Sequence, residues 1–428
     1  MIGVAYMAKK RVVITGLGLV TSLGSDLKTV WDSLSKGISG IRKIDRFDTS
    51  DLDCKVAGQV TTKPESEEYI FDAGDYIPEK DLKKMDTFIH FGIASATQAI
   101  NDSNLLDYKD LDYSRVGVIV GSGIGGLQFI EKTVICLKER GPKRISPFFI
   151  PASLINLTSG HISMKYGFTG LNDAVVTACS TGAQAIGNAA RVIQSGEADV
   201  IIAGGTESAI CRIGIAGFAA MKALSTKFND TPELASRPWD KQRDGFVMGE
   251  GSGVVILEDY EHAKKRGARI YGELLGYGMT SDAYHMSAPH PEGKGGIKSI
   301  ELALSNAQLN PESINYINAH GTSTPIGDSI EIQAIKNVFK ESVYKVPISS
   351  TKSSIGHLLG AAGSVEAIFC ILAMNTGIAP PTLNLHESSE DPKLNLVPLN
   401  AQEHKINYCL SNSFGFGGVN VSLVFGKV

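Results

Sequence analysis

Short runs of apolar and β-branched residues alternate along the whole chain with longer segments in which apolar residues recur at helical spacing. The short runs predict strands and the longer segments predict helices. Strands are predicted at RVVITG, RVGVIVG, DAVVTA, ADVIIAGG, GSGVVILE, INYINAHG, KVPISS, NYCLSNS and VNVSLVFG. Helices are predicted over residues 26–35, 81–102, 151–166, 181–195, 260–266, 295–307, 327–339 and 356–376. This alternation is typical of an α/β protein with largely buried sheets.

The pattern also repeats faintly within the chain. AVVTACSTGAQAIGNAARVIQSG and VPISSTKSSIGHLLGAAGSVEAIFCILAMNTG both show a strand, a small polar turn and a helix rich in Gly and Ala. A period near half the chain predicts two similar α/β halves, residues 9–267 and 268–428, that face each other. Catalytic groups are then expected from both halves, at their mutual interface.

Composition narrows the class of protein. With 428 residues, 43% of them hydrophobic and 20% charged, the chain is expected to be soluble and globular. A net charge of −4 gives no global reason to bind nucleic acid or a membrane, so an acidic partner would need a local basic patch. The start, MIGVAYMAKKR, does not fit a secretory signal, and Met7 is an alternative to Met1 as the start. The six cysteines form no C-x-x-C pair, which argues against disulfides and structural zinc and favours a reducing cytoplasm.

Cys179 falls between a β-branched run and the small-residue helix that follows it. Free N–H groups and the helix dipole at a helix start favour a thiolate, so this position predicts an activated nucleophile. The alternative is a small, unreactive side chain packed at a tight turn. The position of Cys179 alone does not decide between them.

Two histidines are candidate partners of Cys179. His320, in NAHGTSTPIGD, ends a predicted strand, and His357, in STKSSIGHLLGAAGS, is expected at the start of the second Gly/Ala-rich helix. Imidazole is the side chain best suited to exchange protons near neutral pH. Either histidine alone could be an ordinary core or loop residue. Lys352 could be a solvated lysine or a buried charge that tunes its neighbours.

Two glycine-rich segments have competing interpretations. SNSFGFGGVN offers backbone amides for an oxyanion and a movable aromatic side chain, or simply the tight turn between the last two strands. GSGIGG, residues 121–126, satisfies the dinucleotide motif G-x-G-x-x-G. No second strand ending in an acidic residue follows at the required distance, so a dinucleotide site is not predicted.

Four blocks, TACSTGAQAIG, AHGTSTPIGD, STKSSIGHLLGAAG and SNSFGFGG, resemble the signature segments of the β-ketoacyl-acyl carrier protein synthases, most closely the synthase II type of bacterial fatty acid synthesis. The resemblance implies the thiolase fold, a duplicated five-layered α/β/α/β/α sandwich, as a homodimer. It implies a Cys-His-His site, here Cys179, His320 and His357, with no metal and no redox cofactor. Synthase III and chalcone synthases differ in having asparagine where His357 stands.

The resemblance also assigns roles to further residues. It implies an oxyanion hole from the amides of Cys179 and Phe416, with Phe414 and Phe416 as a gate, and electrostatic support of the histidines by Lys352 and Glu366. Substrate contacts are expected from Thr322, Thr324, Ser287 and, in the acyl pocket, Ile124. Docking of an acidic acyl carrier protein is expected at Lys80, Lys83, Lys84 and Lys222, with Lys143 and Arg144 as weaker candidates.

The implied reaction is a decarboxylative condensation of an acyl chain, carried on Cys179, with malonyl-acyl carrier protein. Two alternatives stay open. A polyketide ketosynthase would share every catalytic residue, and a chain-length-factor-like subunit would be non-catalytic, although such subunits lack the cysteine that this chain has.

Overall fold

The computed structural model describes residues 9–62 and 71–428 and contains a mixed α/β arrangement. Its strands are β1 (Val12–Val20), β2 (Arg42–Lys43), β3 (Val56–Ala57), β4 (Val116–Gly121), β5 (Asn172–Asp173), β6 (Val200–Glu207), β7 (Gly251–Asp259), β8 (Gly272–Ser281), β9 (Tyr316–Asn318), β10 (Ile348–Ser349), β11 (Ile378–Ala379), β12 (Gln402–Glu403), β13 (Tyr408–Gly415) and β14 (Val419–Gly426). Its helices are α1 (Leu27–Ser35), α2 (Glu79–Leu82), α3 (Thr87–Asp102), α4 (Leu127–Arg140), α5 (Phe149–Ser153), α6 (Leu157–Tyr166), α7 (Thr181–Gln194), α8 (Arg212–Ala220), α9 (Tyr260–Lys265), α10 (Lys294–Ala307), α11 (Pro325–Phe339), α12 (Lys352–Ile355) and α13 (Ala362–Thr376). The alternative starts at Met1 and Met7 lie outside the described residues.

The strand order repeats along the chain. The main sheet has the order β10-β9-β13-β14-β8-β1-β7-β6-β4-β5, so the strands before residue 267 and those after it follow the same sequence outward from the β1–β8 contact. In each half the outer pairs are parallel and the inner pairs antiparallel. Strands β1 and β8 pair only at Val13–Glu273 and Ile14–Gly272. A narrow seam thus joins two arrangements of the same topology.

Most strand predictions are confirmed, and the misses have a physical reason. The DAVVTA run is a strand only at its first residue, because β5 ends at Asp173 and the chain then turns towards Cys179. Strand β8 is missed because glycines break its apolar pattern. A Cβ on Gly276 or Gly278 would lie 2.0 Å from a backbone oxygen of α10, so the close packing of this helix on the sheet requires them.

Helices α7 and α13 are buried and pack directly against each other. A Cβ on Gly182 would lie 2.8 Å from Ser364 N, and one on Gly363 would lie 2.9 Å from Ala183 N, so both helices approach to backbone contact near their N-terminal ends. By length and hydropathy the segment Leu359–Thr376 could cross a membrane, yet 83% of it is buried inside the protein, as in the core helix of a globular domain.

The helix predicted over 356–376 begins later than expected. Gly356 has φ 75° and Leu359 has φ 49°, and both conformations stop a helix, so α13 starts at Ala362. The prediction that His357 stands at the start of this helix is therefore wrong, and His357 lies in the loop between α12 and α13. Three helices, α4, α8 and the short α12, are not predicted by the sequence, and the helices predicted over 81–102 and 151–166 are each interrupted.

Candidate active site

A cavity of about 390 Å³ lies beside the carboxyl ends of β9 and β13. Ligand sites in α/β proteins commonly form at such strand ends, because loops there leave the sheet with free backbone groups. Cys179, His320, His357, Phe414 and Phe416 all line it. The structure therefore brings together a cysteine from the first half of the chain and two histidines from the second.

Cys179 sits in a 3₁₀ turn, Ala178–Ser180, directly before α7. Ala178 takes the left-handed conformation with φ 50°, which turns the chain sharply into the helix. Side-chain hydrogen bonds hold this turn: Ser180 Oγ donates to Thr177 O over 2.9 Å and Thr181 Oγ1 donates to Ala178 O over 2.7 Å. The predicted position of Cys179, at a turn before a helix, is confirmed.

The predicted activation of Cys179 by a lowered pKa is wrong for this state of the protein. Burial raises the pKa of the Cys179 thiol to about 12, although the charge of Lys352 and a hydrogen bond from the Phe416 amide both lower it. Desolvation of the thiolate outweighs the favourable groups because the side chain is buried. The surroundings of the sulfur in this structure therefore favour the thiol over the thiolate.

The glycine-rich segment at 415–418 confirms one of its two proposed interpretations, and its role in binding an oxyanion and opening a gate stays a prediction. It is the tight turn between β13 and β14, with Gly417 at φ 85° and Gly418 at φ 74°. It also places the Phe416 N–H against the Cys179 sulfur. A Cβ on Gly415 would lie 2.6 Å from Thr177 O, so the turn rests directly on the cysteine loop.

The two histidine rings meet edge to face. Their centroids are 5.2 Å apart and their planes make an angle of 88°. The backbone of each is fixed separately: His320 N donates to Glu331 Oε1 over 2.7 Å, and His357 N donates to Val247 O over 2.7 Å. Phe246 contacts the His357 ring with centroids 5.4 Å apart. Both rings are thereby held at the cavity wall.

Both histidines are neutral. Burial lowers the pKa of His320 and of His357 well below the usual value, and the charge of Lys352 lowers both further. Lys352 is itself buried, and its Nζ donates to Glu366 Oε1 on α13. Burial raises the pKa of Glu366 to about 7, against the opposing effect of Lys352. The expectation of Lys352 as a solvated lysine is excluded by this burial.

Two acidic residues on α11 that support the site, in addition to the predicted Glu366, were not found from the sequence. Glu331 on α11 accepts hydrogen bonds from His320 N and Gly321 N, both over 2.7 Å. Asp328, one turn earlier, accepts from Ser323 N over 3.0 Å, and burial raises its pKa to about 7. The available signal was a pair of acidic residues at i and i+3 on one face of a predicted helix.

The predicted substrate residues divide into two groups. Thr322, Thr324 and Ser287 line the cavity, and the hydroxyl oxygens of the two threonines are 3.0 Å apart. Ile124 is not among the residues that line this cavity, and it is 36% exposed. Its backbone N–H donates to Glu207 Oε1 over 3.3 Å. The single chain thus does not bring Ile124 to the cavity that contains Cys179.

The lysines predicted for docking also lie in two places. Lys222, which has φ 54°, lines the mouth of the cavity. Lys80 is on α2 and Lys83 and Lys84 follow it, with Lys84 Nζ 2.6 Å from Asp81 Oδ1 and 5.4 Å from the Phe148 ring centroid. Lys143 and Arg144 lie in the exposed 3₁₀ turn Pro142–Arg144. Over residues 9–62 and 71–428, no cluster of three His, Cys, Asp or Glu side chains is arranged to hold a metal ion.

Comparison with known protein families divides the chain into two parts, close to the two halves described above. Residues 9–263 match the family model "Beta-ketoacyl synthase, N-terminal domain", and residues 271–386 match "Beta-ketoacyl synthase, C-terminal domain". The chain is 51% identical over 418 residues to 3-oxoacyl-[acyl-carrier-protein] synthase 2 of Rhizobium meliloti, covering 98% of this chain and 99% of that protein. It is 48% identical over 423 residues to the synthase 2 of Vibrio harveyi, covering 99% and 100%.

Solved structures give the same fold at lower identity. A β-ketoacyl synthase from Burkholderia phymatum matches with a TM-score of 0.86 and 35% identity, over 98% of this chain and 100% of that one. A type II polyketide ketosynthase, solved with its acyl-carrier protein and a hexaketide, matches with a TM-score of 0.88 and 32% identity over the same shares. The identity to the synthase 2 proteins therefore exceeds the identity to this polyketide enzyme.

Proposed function

The chain belongs to the β-ketoacyl synthase family, and we propose that Cys179, His320 and His357 carry out its reaction, the 3-oxoacyl-acyl carrier protein synthase 2 condensation of fatty acid elongation. An acyl chain is extended by two carbons from malonyl-acyl carrier protein, with release of carbon dioxide. The observation that supports these roles most directly is the single cavity that Cys179 shares with both histidines.

In the first half-reaction Cys179 accepts the acyl group. Its sulfur attacks the thioester carbonyl, a new C–S bond forms, and the bond to the carrier sulfur breaks as the tetrahedral intermediate collapses. The Cys179 proton passes to the departing carrier thiolate, and a neutral histidine is the base available in the cavity. The amides of Cys179 and Phe416 stabilise the oxyanion, because the Phe416 N–H already contacts the sulfur.

In the second half-reaction the histidines act on the malonyl group. The bond between the malonyl C2 and its carboxylate breaks, carbon dioxide leaves, and the electron pair forms a thioester enolate. A neutral imidazole keeps one N–H, which can donate a hydrogen bond to the enolate oxygen, and the lowered pKa of both histidines favours this neutral form. The carbanion then attacks the acyl carbonyl on Cys179, a C–C bond forms, and the bond to the cysteine sulfur breaks. The sulfur leaves as a thiolate and takes up one proton from the solvent, which restores the thiol.

Lys352 and Glu366 keep the histidine pair neutral. The Lys352 charge lowers the pKa of both rings, and Glu366 compensates that charge inside the protein. Phe416 and Phe414 act as the gate of the cavity. Thr322, Thr324 and Ser287 contact the phosphopantetheine arm, since their polar side chains line the same cavity.

The partner is an acyl carrier protein. The Vibrio harveyi relative is named for its acyl-carrier-protein substrate, and the polyketide ketosynthase was solved with its own carrier. The docking surface that we propose is formed from two places, Lys80, Lys83 and Lys84 at α2 and Lys222 at the cavity, with Lys143 and Arg144 as weaker candidates. Its positive charge complements an acidic carrier although the whole chain has a net charge of −4.

We also propose that the protein works as a homodimer in the cytoplasm. Strand β5 is a short, exposed edge strand, and an unpaired edge is a template for a second chain. Large apolar side chains are exposed around the same part of the fold: Val134, Ile135, Ile150, Met164 and Val176. A second copy would cover them. For the fold of each chain we propose a five-layered α/β/α/β/α sandwich, with the boundary between its two halves at residues 267 and 268.

The rival functions are separated by simple observations. A polyketide ketosynthase would reject straight-chain fatty acyl groups on the housekeeping carrier. A non-catalytic chain-length-factor-like subunit would not be labelled at Cys179 by an acyl analogue or an epoxide of the cerulenin type.

Mass spectrometry of the intact protein tests the assignment. Incubation with a straight-chain acyl-acyl carrier protein is expected to add one acyl mass to the wild-type protein and nothing to the C179A variant. Subsequent addition of malonyl-acyl carrier protein is expected to discharge the enzyme and release a 3-oxoacyl carrier two carbons longer. An acyl mass that persists in C179A would contradict the role of Cys179.

A further inference from the structure

Glu207, the last residue of β6, is a buried carboxylate that the reaction described above does not use. Its relative exposure is 0%. Among the described residues, no nitrogen of a Lys, Arg or His side chain lies within 4 Å of this carboxylate. A buried charge without a counter-ion is costly unless hydrogen bonds stabilise it, so the donors around Glu207 determine whether the charge can be kept.

Five donors surround the carboxylate, and they come from two separate segments. Oε1 accepts from Ser122 Oγ over 2.7 Å, from Ile124 N over 3.3 Å and from Gly125 N over 3.4 Å. Oε2 accepts from Gly123 N over 2.8 Å and from Gly360 N over 3.0 Å. One side chain of the first half thus joins the GSGIGG loop to the turn Leu359–Ala361 of the second half.

The two segments meet at backbone distance around Glu207. A Cβ on Gly360 would lie 2.2 Å from Gly123 N, and a Cβ on Gly123 would lie 3.3 Å from Ala178 O. The loop 121–126 is therefore wedged between the turn that contains Cys179 and the turn that contains Gly360. Any change in the path of this loop must move one of these two turns.

One connected segment lines the cavity, and the other carries Ile124. Leu359 lines the cavity together with Cys179, and it holds the left-handed conformation with φ 49°. Ile124 does not line this cavity in the single chain, and the resemblance to the synthases implies that it contacts the acyl chain. We propose that Glu207 is a positioning residue that locks the Ile124 loop to the Leu359 turn and so fixes the walls that determine acyl-chain length. This inference rests on the proposed function, because it needs an acyl group on Cys179.

Electrostatics supply a second, independent readout. The negative charge of Glu207 is one of the causes that raise the pKa of Cys179. The E207Q variant removes that charge while keeping the size of the side chain. Glutamine has one acceptor oxygen where glutamate has two. The NH₂ group of the introduced glutamine therefore faces one of the two sets of N–H and O–H donors and cannot accept hydrogen bonds from them.

The test compares E207Q with E258Q across a series of acyl-acyl carrier proteins. The acyl chains are about six to sixteen carbons long, which spans the lengths that a hydrophobic pocket could hold. Glu258 is a suitable control, since it is also a fully buried carboxylate at the end of a strand, bonded to Arg266, His262 and Thr15 instead of to the site. E207Q is expected to lower kcat/KM about ten-fold for long chains and much less for short ones. E258Q is expected to lower thermal stability with an unchanged chain-length profile.

Alkylation of Cys179 by iodoacetamide gives the second measurement, and it is expected to be faster at a given pH in E207Q than in the wild type. If E207Q does not fold, S122A is used instead. It removes the hydrogen bond over 2.7 Å to Oε1 and the bond over 3.0 Å that Ser122 Oγ accepts from Gly125 N, both within the same loop, and it is expected to shift the chain-length profile in the same direction. An equal loss at every chain length, or a profile identical to that of E258Q, would overturn the positioning role. Failure of the wild-type protein to become acylated would instead overturn the proposed function.

Discussion

The ring of His357 stands edge-on to the ring of His320, with the centroids 5.2 Å apart and the planes at 88°. Two protonated imidazoles at this separation would repel each other strongly. Burial and the charge of Lys352 already lower the pKa of both rings, so protonation of the pair is disfavoured. The pair therefore offers two rings at the cavity wall for which the neutral form is favoured.

The first prediction separates the two half-reactions. C179A is expected to abolish acyl transfer and chain elongation but to retain decarboxylation of malonyl-acyl carrier protein, because that step needs the histidines and not the sulfur. H320A and H357A are each expected to lower decarboxylation by about a hundred-fold or more, as for the loss of an oxyanion donor. Release of carbon dioxide and self-acylation are measured in parallel. Chain elongation by C179A would refute the mechanism.

The second prediction concerns pH. Because burial raises the pKa of Cys179 to about 12, the thiol is protonated across the neutral range and the thiolate fraction grows as the pH rises. The rate of iodoacetamide alkylation is expected to increase about ten-fold per pH unit between pH 7 and 10, without a plateau. The C179A variant corrects for labelling of other cysteines. A plateau below pH 8 would show a thiolate activated in the resting enzyme.

The third prediction uses the buried pair of Lys352 and Glu366. K352M leaves the Glu366 carboxyl buried without its partner and is expected to cost about 3–5 kcal/mol of stability in denaturant unfolding. The double variant K352M/E366L removes both polar groups and is expected to regain most of that stability. Condensation should stay impaired in both variants, since the charge that lowers the pKa of the histidines is gone. Recovered activity in the double variant would exclude the electrostatic role.

The fourth prediction tests the docking surface. K83E/K84E is expected to raise KM for carrier-bound substrate several-fold and to weaken its dependence on salt, with little change for a free pantetheine thioester. K264E/K265E on α9 is the charge-matched control. Equal losses on both kinds of substrate would mean that these lysines support the fold and not the partner.

The fifth prediction tests Ile124. I124F is expected to block self-acylation by long chains and to spare short ones, because each excluded methylene forfeits about 0.8 kcal/mol of burial. I124G should preserve or improve long-chain acylation. I130F is the control, since Ile130 on the neighbouring helix α4 is 37% exposed and Ile124 is 36% exposed. A uniform drop at all chain lengths in I124F would indicate a role in folding only.

The alternation of short apolar runs and helical segments was sufficient to predict the strands and the turn at Cys179. It could not reveal β8, because Gly276 and Gly278 serve a helix contact that is distant in sequence. It could not place His357, because the conformations of Gly356 and Leu359 depend on the packing of the turn they form. The direction of the Cys179 pKa shift was missed for a similar reason. The helix start that favours a thiolate is local, whereas the burial that opposes it comes from residues that are distant in sequence, among them Ile210, Phe246 and Leu359.

The turns Ala178–Ser180 and Leu359–Ala361 have the same local shape, each opening with a left-handed residue and leading into one of the two packed helices. Only one of them can present a reactive group. A side chain at Gly360 would meet Gly123 N at 2.2 Å, so the second turn has no space for a counterpart of Cys179. If Cys179 holds the acyl group as proposed, each polypeptide carries at most one chain at this pair of turns, and the proposed dimer carries two. The two halves share an architecture, but a cysteine occupies this position of the turn only in the first half.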